Sequence, residues 1–160
     1  MAEGQLELSN DELLSTTRAV RKRLDFDRPV PMSAIKECME LAVQAPSGSN
    51  AQGWQFVFVT DPDKRAQIGE YYRQAFSQYR DMPFAIHNLH AESADQSLSS
   101  SQQRSASSAD YLAENMGKAP VLMIPCIAGR IDNPEGANVS AQAGTMGSII
   151  PAAWSFMLAA

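Results

Sequence analysis

Ten residues, Ala45-Pro46-Ser47-Gly48-Ser49-Asn50-Ala51-Gln52-Gly53-Trp54, constrain what this chain can fold into more than any others. They separate an amphipathic helical pattern from an aromatic and β-branched run, and nothing bulky stands before Trp54. Gly and Pro fix unusual dihedrals, while Ser, Asn and Gln bring short donors and acceptors. Ser47, Ser49, Asn50 and Gln52 suit the polar edge of a flat heterocycle, with Pro46 against its face. In isolation the same residues also read as a plain helix-to-strand connector.

The flanking patterns set the elements around that loop. Ser9-Asn10-Asp11-Glu12 has the Ser-x-x-Glu spacing of a capping box, so a first helix is expected from Asp11 through Thr17. A second is expected over 33–44, because Ile35, Cys38, Met39, Ala42 and Val43 recur at helical spacing opposite Lys36, Glu37 and Glu40. Residues 54–60 read as a strand closed by Asp61-Pro62-Asp63, and a third helix follows over 63–79. Between 81 and 108 few apolar anchors appear, and Ser and Gln dominate 93–108. This part reads as a mobile excursion or lid with helical pieces. Helical character returns over 111–116 and ends at Gly117 as a C-cap, before a strand over 121–127 that Pro125 confines to an edge, an end or a bulge. A last helix starts between Asn138 and Gly144 and runs to Ala160 while still apolar, as if packed on a partner or continued by further chain.

Length and composition exclude several classes. A chain of 160 residues with 44% hydrophobic content fits one domain with a true core. A formal net charge of −5 opposes nucleic acid and anionic membranes as partners. Cys38 and Cys126 sit in apolar runs, so neither a disulfide framework nor a zinc site is expected, and a reducing cytoplasm fits. No secretory leader is visible, and residues 143–160 are too interrupted by Gly, Ser, Thr and Pro for a membrane span.

Chemistry-bearing residues are few. Thr17-Arg18-Ala19-Val20-Arg21-Lys22-Arg23 places four cations within six residues, suited to an anionic ligand or simply to a solvated basic face. The two histidines, His87 and His90, lie far from the Pro46–Gln52 serines, so a serine-nucleophile site has no base. Three residues apart, they fit one helix face, with packing the better account. Trp54 and Trp154 read as packing residues, and Cys38 as core.

Here the motifs carry a resemblance. Arg18-Ala19-Val20-Arg21-Lys22 resembles the Arg-Ser-x-Arg element of the flavin-dependent nitroreductase family, and Pro46 to Trp54 resembles its Pro-Ser-x-x-Asn-x-Gln-Pro-Trp loop. The order and separation also match. Tyr111-Leu112-Ala113-Glu114 with Ala119-Pro120-Val121, and Gly147 to Ala152, look like the family's helix-strand and core-helix segments. Two positions depart from the pattern: Ala19 replaces a serine and Gly53 a proline.

The resemblance implies an α+β fold: a mixed, mainly antiparallel sheet surrounded by helices, in an intertwined homodimer with FMN at the interface. Arg18 and Arg21 are then charge partners of FMN and Ala19 a close backbone contact. Pro46, Ser47, Gly48, Ser49 and Asn50 line the ring, with Gln52 a weaker candidate. No catalytic side chain and no metal is implied. The expected activity is electron transfer from NAD(P)H to nitroaromatic, quinone or related acceptors. The alternatives are a dehalogenating or flavin-destroying branch, or a flavin-binding or degenerate dimer without turnover. Family chains continue past such a last helix, which makes this one C-terminally incomplete on the same pattern.

Overall fold

A computed structural model describes residues 6–90, 93–131 and 138–160, and the loop expected at 132–136 lies outside them. The contacts gather into two compact units, one formed by residues 1–18, 30–58 and 123–160, the other by 19–29 and 59–122. The elements are helix α1 (Asn10–Thr16), helix α2 (Met32–Ala42), strand β1 (Trp54–Val59), helix α3 (Pro62–Arg80), helix α4 (Gln96–Asn115), strand β2 (Leu122–Ile127) and helix α5 (Val139–Ala159). Short 3-10 turns occupy Gly48–Asn50 and Met116–Lys118.

In the first unit, α1 starts where the capping box requires. Ser9 N–H donates to Glu12 Oε2 at 2.9 Å, and Glu12 N–H donates to Ser9 Oγ at 3.3 Å. Helix α2 packs along α5, burying Ile35 and Ala42 from one and Ile149 and Ala152 from the other. The Asn138 side chain caps α5 by accepting from Ala141 N–H at 2.7 Å. Strands β1 and β2 pair antiparallel, and Ala128 N–H donates to Gly53 O at 2.9 Å. Counting back in twos from Ala128, the N–H groups aimed at β1 belong to Cys126, Ile124 and Leu122. Pro125 therefore turns its bare nitrogen away, and the strand runs through it. Phe58 of β1 meets Phe156 of α5 with ring centroids 5.6 Å apart.

In the second unit, α4 departs from the sequence reading. Its helix begins at Gln96, not near Tyr111, so most of the Ser- and Gln-rich stretch is helical. Asp95 accepts from Ser97 N–H at 2.9 Å and Leu98 N–H at 3.2 Å, and the buried face is Ala106, Ala109 and Ala113. Alanine is the strongest helix former but supplies little apolar contrast, which is why the period was illegible. The histidines share no helix face, since 81–90 is a series of turns with His90 at φ 60°.

Gly117 corrects a second expectation. Its φ is not positive, so it is no left-handed cap. It is a close-packing residue: a Cβ on Gly69 of α3 would sit 2.7 Å from Gly117 N and 2.8 Å from its Cα. Arg65 clasps the same junction, with Nε donating to Thr60 O at 3.2 Å and Nη1 to Ala119 O.

Gly69→Ala forces this backbone contact apart and is expected to lower stability by about 1–3 kcal/mol in a urea titration. Near the N-terminus, the Ser9 amide and then the Ser9 hydroxyl hold the Glu12 carboxyl below its ordinary 4.5. The folded value is the lower one. Capping support is thus present above about pH 4.5 and disappears as pH falls through the depressed value. The Ser9 amide resonance should report that loss, and in Glu12→Gln it should not titrate in this range.

Candidate functional site

The loop after α2 is open backbone under strain. Ser49 (φ 53°, ψ 22°), Asn50 (φ 52°) and Gln52 (φ 49°) all adopt left-handed conformations although none is glycine. Such conformations cost about 1–3 kcal/mol each and persist only where surrounding structure dictates them. Here the determinants are local and specific. Asn50 N–H donates to Ser47 O and Ala51 N–H to Gly48 O, each at 3.0 Å. Gln52 N–H donates to Ser47 Oγ at 3.0 Å, and Gln52 Nε2 to Asn50 Oδ1 at 2.9 Å.

One bond anchors the loop from outside. Gly48 N–H donates to Ser148 Oγ at 2.9 Å, while Ser148 Oγ donates to Gly144 O at 2.8 Å. Ser148 is buried on α5, and the Gly48–Asn50 turn packs against that helix. Pro46, Gly48, Ser49, Asn50 and Gln52 remain exposed and Ser47 is half-buried, so the loop's small polar surface is accessible.

The arginine element is divided between the two units. Arg18, in the first, folds back on α1: its Nη1 donates to Ser15 O at 3.0 Å and Thr17 O at 2.7 Å. Those are carbonyls a helix leaves open at its C-terminus. Ala19 is exposed and adds no side-chain bulk. Arg21, in the second unit, donates from Nη1 to Ser108 Oγ at 3.2 Å, and Lys22 Nζ donates to Ser107 Oγ at 2.8 Å. Neither Arg21 nor Lys22 meets a carboxylate among the described residues.

Sequence reasoning missed two features of the second unit. Arg21 lines a cavity of about 360 Å³ walled by Tyr72, Phe76, Tyr79 and Ile86. Behind it His87 Nε2 lies 2.9 Å from Asp110 Oδ1, which Arg80 Nη1 approaches to 3.5 Å. The ring of His87 meets Phe76 edge-on and its Nδ1 is buried without a partner. The aromatic positions 72, 76 and 79 were the available signal, three and four apart on one helix face. Cys38 is no ready nucleophile: burial, and then the Glu37 charge, push its thiol above the usual range. Among the described residues no three His, Cys, Asp or Glu groups are placed to hold a metal, and no helix is long and apolar enough to cross a membrane.

Comparison with known proteins places this architecture in a class. The Nitroreductase family model matches residues 14–160, and the chain belongs to that family. Rat iodotyrosine deiodinase 1 is 42% identical over 59 residues, 37% of this chain and 20% of its own. The Nematostella vectensis iodotyrosine deiodinase is 38% identical over 53 residues, 33% of this chain and 19% of its own. The matched segments thus span about a fifth of these relatives.

Solved structures share the fold. An iodotyrosine deiodinase bound to FMN and 3-iodo-L-tyrosine superposes with a TM-score of 0.60 at 18% identity, covering 91% of this chain and 66% of that one. A BluB-like flavoprotein from Clostridium difficile 630 gives 0.56 at 19%, covering 95% and 69%. An FMN and NADPH-dependent nitroreductase from a sphigopyxis strain gives 0.51 at 23%, covering 94% and 70%. The α+β nitroreductase fold expected from the motifs is the fold observed.

The Gly48–Ser148 bond has a measurable consequence. Ser148→Ala leaves Gly48 N–H without its acceptor and is expected to cost about 1–3 kcal/mol in stability. Amide exchange should accelerate at Gly48 and Ala51 before it does so in α3 or α4.

Proposed function

We propose that this chain is an FMN-dependent oxidoreductase, passing electrons from NAD(P)H to nitroaromatic, quinone or related acceptors as a homodimer. The observation that carries this reading is the exposed, strained loop of Ser47, Gly48, Ser49, Asn50 and Gln52, tethered to α5 through Ser148. Its donor set fits the group. Backbone and amide donors of the loop suit the carbonyl-rich edge of a flat ring, Pro46 suits its face, and Arg18 and Arg21 suit its phosphate. Bound FMN supplies the electron transfer itself.

The chain's own residues then bind and orient. Asn50 Oδ1 is engaged by Gln52, which leaves the Asn50 amide donors for the ring. Arg18 can exchange two exposed helix carbonyls for a phosphate oxygen, a stronger, charge-assisted bond. The aromatic walls of the cavity beside Arg21 suit a planar acceptor, and its volume lies within the range of small-molecule sites. Association of two copies is supported by α5, whose Met146, Ile150, Trp154 and Met157 recur at four, four and three residues and all remain exposed.

A second reading, reductive dehalogenation, is favoured by the 42% identity with rat iodotyrosine deiodinase 1 over 59 residues. The two readings separate by acceptor. Purified protein should bind FMN, show its visible spectrum, and bleach on anaerobic addition of NADPH or NADH. Colourless protein that cannot be reconstituted with FMN overturns both. Reoxidation by a nitroaromatic or quinone supports the first reading. Release of iodide from 3-iodo-L-tyrosine, without nitro turnover, supports the second. Arg18→Ala should weaken FMN binding by roughly tenfold or more, measured by quenching of flavin fluorescence.

A further inference from the structure

The aromatic cavity of the second unit is lined by a hydroxyl whose surroundings give it a direction. Besides Arg21, the polar side chains lining the cavity are Tyr72 and Tyr79. Ile86 lines it too, and its N–H donates to Tyr79 Oη at 2.9 Å. That bond occupies a lone pair and leaves the hydroxyl hydrogen, which meets no acceptor among the described residues. An N–H received at oxygen also polarises the O–H and strengthens the bond it can give. Tyr72 Oη makes no hydrogen bond among the described residues, so nothing there directs its hydrogen. Both partners of the Tyr79–Ile86 bond are held in place. The Tyr79 ring packs on Phe76 at 5.8 Å and on Phe84 at 6.3 Å between centroids. Ile86 stands between Ala85, which is fully buried, and His87, whose Nε2 lies 2.9 Å from Asp110 Oδ1 on α4. Asn88 Nδ2 ties the same turn to the end of α3, donating to Arg80 O at 3.2 Å and Met82 O at 3.0 Å.

We infer that Tyr79 is a specificity-determining residue of this cavity, donating its hydroxyl hydrogen to a nitro or quinone oxygen of a planar aromatic acceptor, and that His87 and Asp110 are positioning residues acting through Ile86. This rests on the reading above in which the cavity takes the acceptor, and it names the atom that tells one acceptor from another. The walls of Tyr72, Phe76 and Ile86 receive any flat ring of suitable size, because apolar contact distinguishes substituents weakly. A directed donor rewards a ring that carries oxygen, and a ring-bound halogen is a poor acceptor in its place. The donor is also oriented before any ligand arrives, so the ordering cost of that bond is already met by the fold. The Asp110 carboxylate holds His87, His87 holds the turn, and the turn holds the Ile86 N–H against Tyr79 Oη.

The test compares nitrobenzene with chlorobenzene, rings of similar size of which only the first offers oxygens, added without reductant to the protein as purified. Shifts of the Ile86 amide and methyl resonances report binding. Wild-type protein should prefer nitrobenzene by about threefold or more, and Tyr79→Phe should remove that preference while chlorobenzene affinity stays within about twofold. Tyr72→Phe should keep the preference. Asp110→Ala probes the same ratio with Tyr79 intact and should lower it, whereas Asp110→Asn, which keeps an oxygen for His87 Nε2, should retain it. A purely structural Asp110 would weaken both probes together at an unchanged ratio, and that result overturns the positioning role. An unchanged ratio in Tyr79→Phe overturns the inference, as does an equal loss of preference in Tyr72→Phe. Protein that carries FMN but binds neither probe at Ile86 overturns the inference and leaves the flavin reading standing, since FMN binding is measured separately by its visible spectrum.

Discussion

The hydroxyl of Ser148 is the constraint on which the loop side of this molecule depends. It is the buried polar side chain among the described residues, and it is used twice, as donor to Gly144 O and as acceptor from Gly48 N–H. The first bond turns the hydroxyl back onto the backbone of α5, four residues earlier. The second fixes where the chain leaves α2 and enters β1. Because α2 packs on α5 and Phe58 of β1 meets Phe156, the loop is held at its middle and both of its ends are referred to the same helix. A larger residue at 148 would fill the space that the Gly48 backbone approaches, and an apolar one would orphan its N–H.

With its position imposed in this way, the loop adopts a backbone that its sequence alone would resist. Ser49, Asn50 and Gln52 are left-handed without being glycine, and Asn tolerates this best because its amide bonds locally. The Ser47 carbonyl and hydroxyl each accept from a residue of this strained run. Hydrogen bonding and the α5 tether together offset the strain, and the result is a row of small exposed groups held in one geometry. Preorganisation of that kind is what a cofactor cradle requires, because order already present need not be supplied by the ligand.

How much of this was legible depended on whether the signal was local. The capping box at Ser9 and Glu12, the helix over most of 33–44, the strand from Trp54 and a last helix starting between Asn138 and Gly144 all rest on neighbouring residues, and each appears within the bounds the pattern sets. Helix α4 was legible only from Tyr111, because its buried face is alanine and its exposed face serine and glutamine, a pairing with little hydrophobic contrast. Gly117 resembled a helix cap because Gly is common there, while its actual partner, Gly69, lies 48 residues away and leaves no local trace. The loop residues could be singled out from composition, yet their tether Ser148 could not. The serines that receive Arg21 and Lys22 stand 87 and 85 positions along the chain, in the stretch that looked least structured.

The treatment of cations shows why that low-contrast stretch matters. On α3, Arg73 is neutralised by Glu70 at 2.6 Å, and the Arg73 guanidinium followed by the Gln74 amide holds the Glu70 carboxyl below its ordinary value. Arg80 approaches Asp110, which His87 also engages. These cations are matched by carboxylates and serve their own helices and turns. Arg18, Arg21 and Lys22 are met instead by carbonyl and hydroxyl oxygens. Neutral acceptors hold a charged group in place at little loss of its field. A serine-rich helix suits such a role because its hydroxyls accept from cations, its short side chains let them approach, and its alanine face keeps the helix packed.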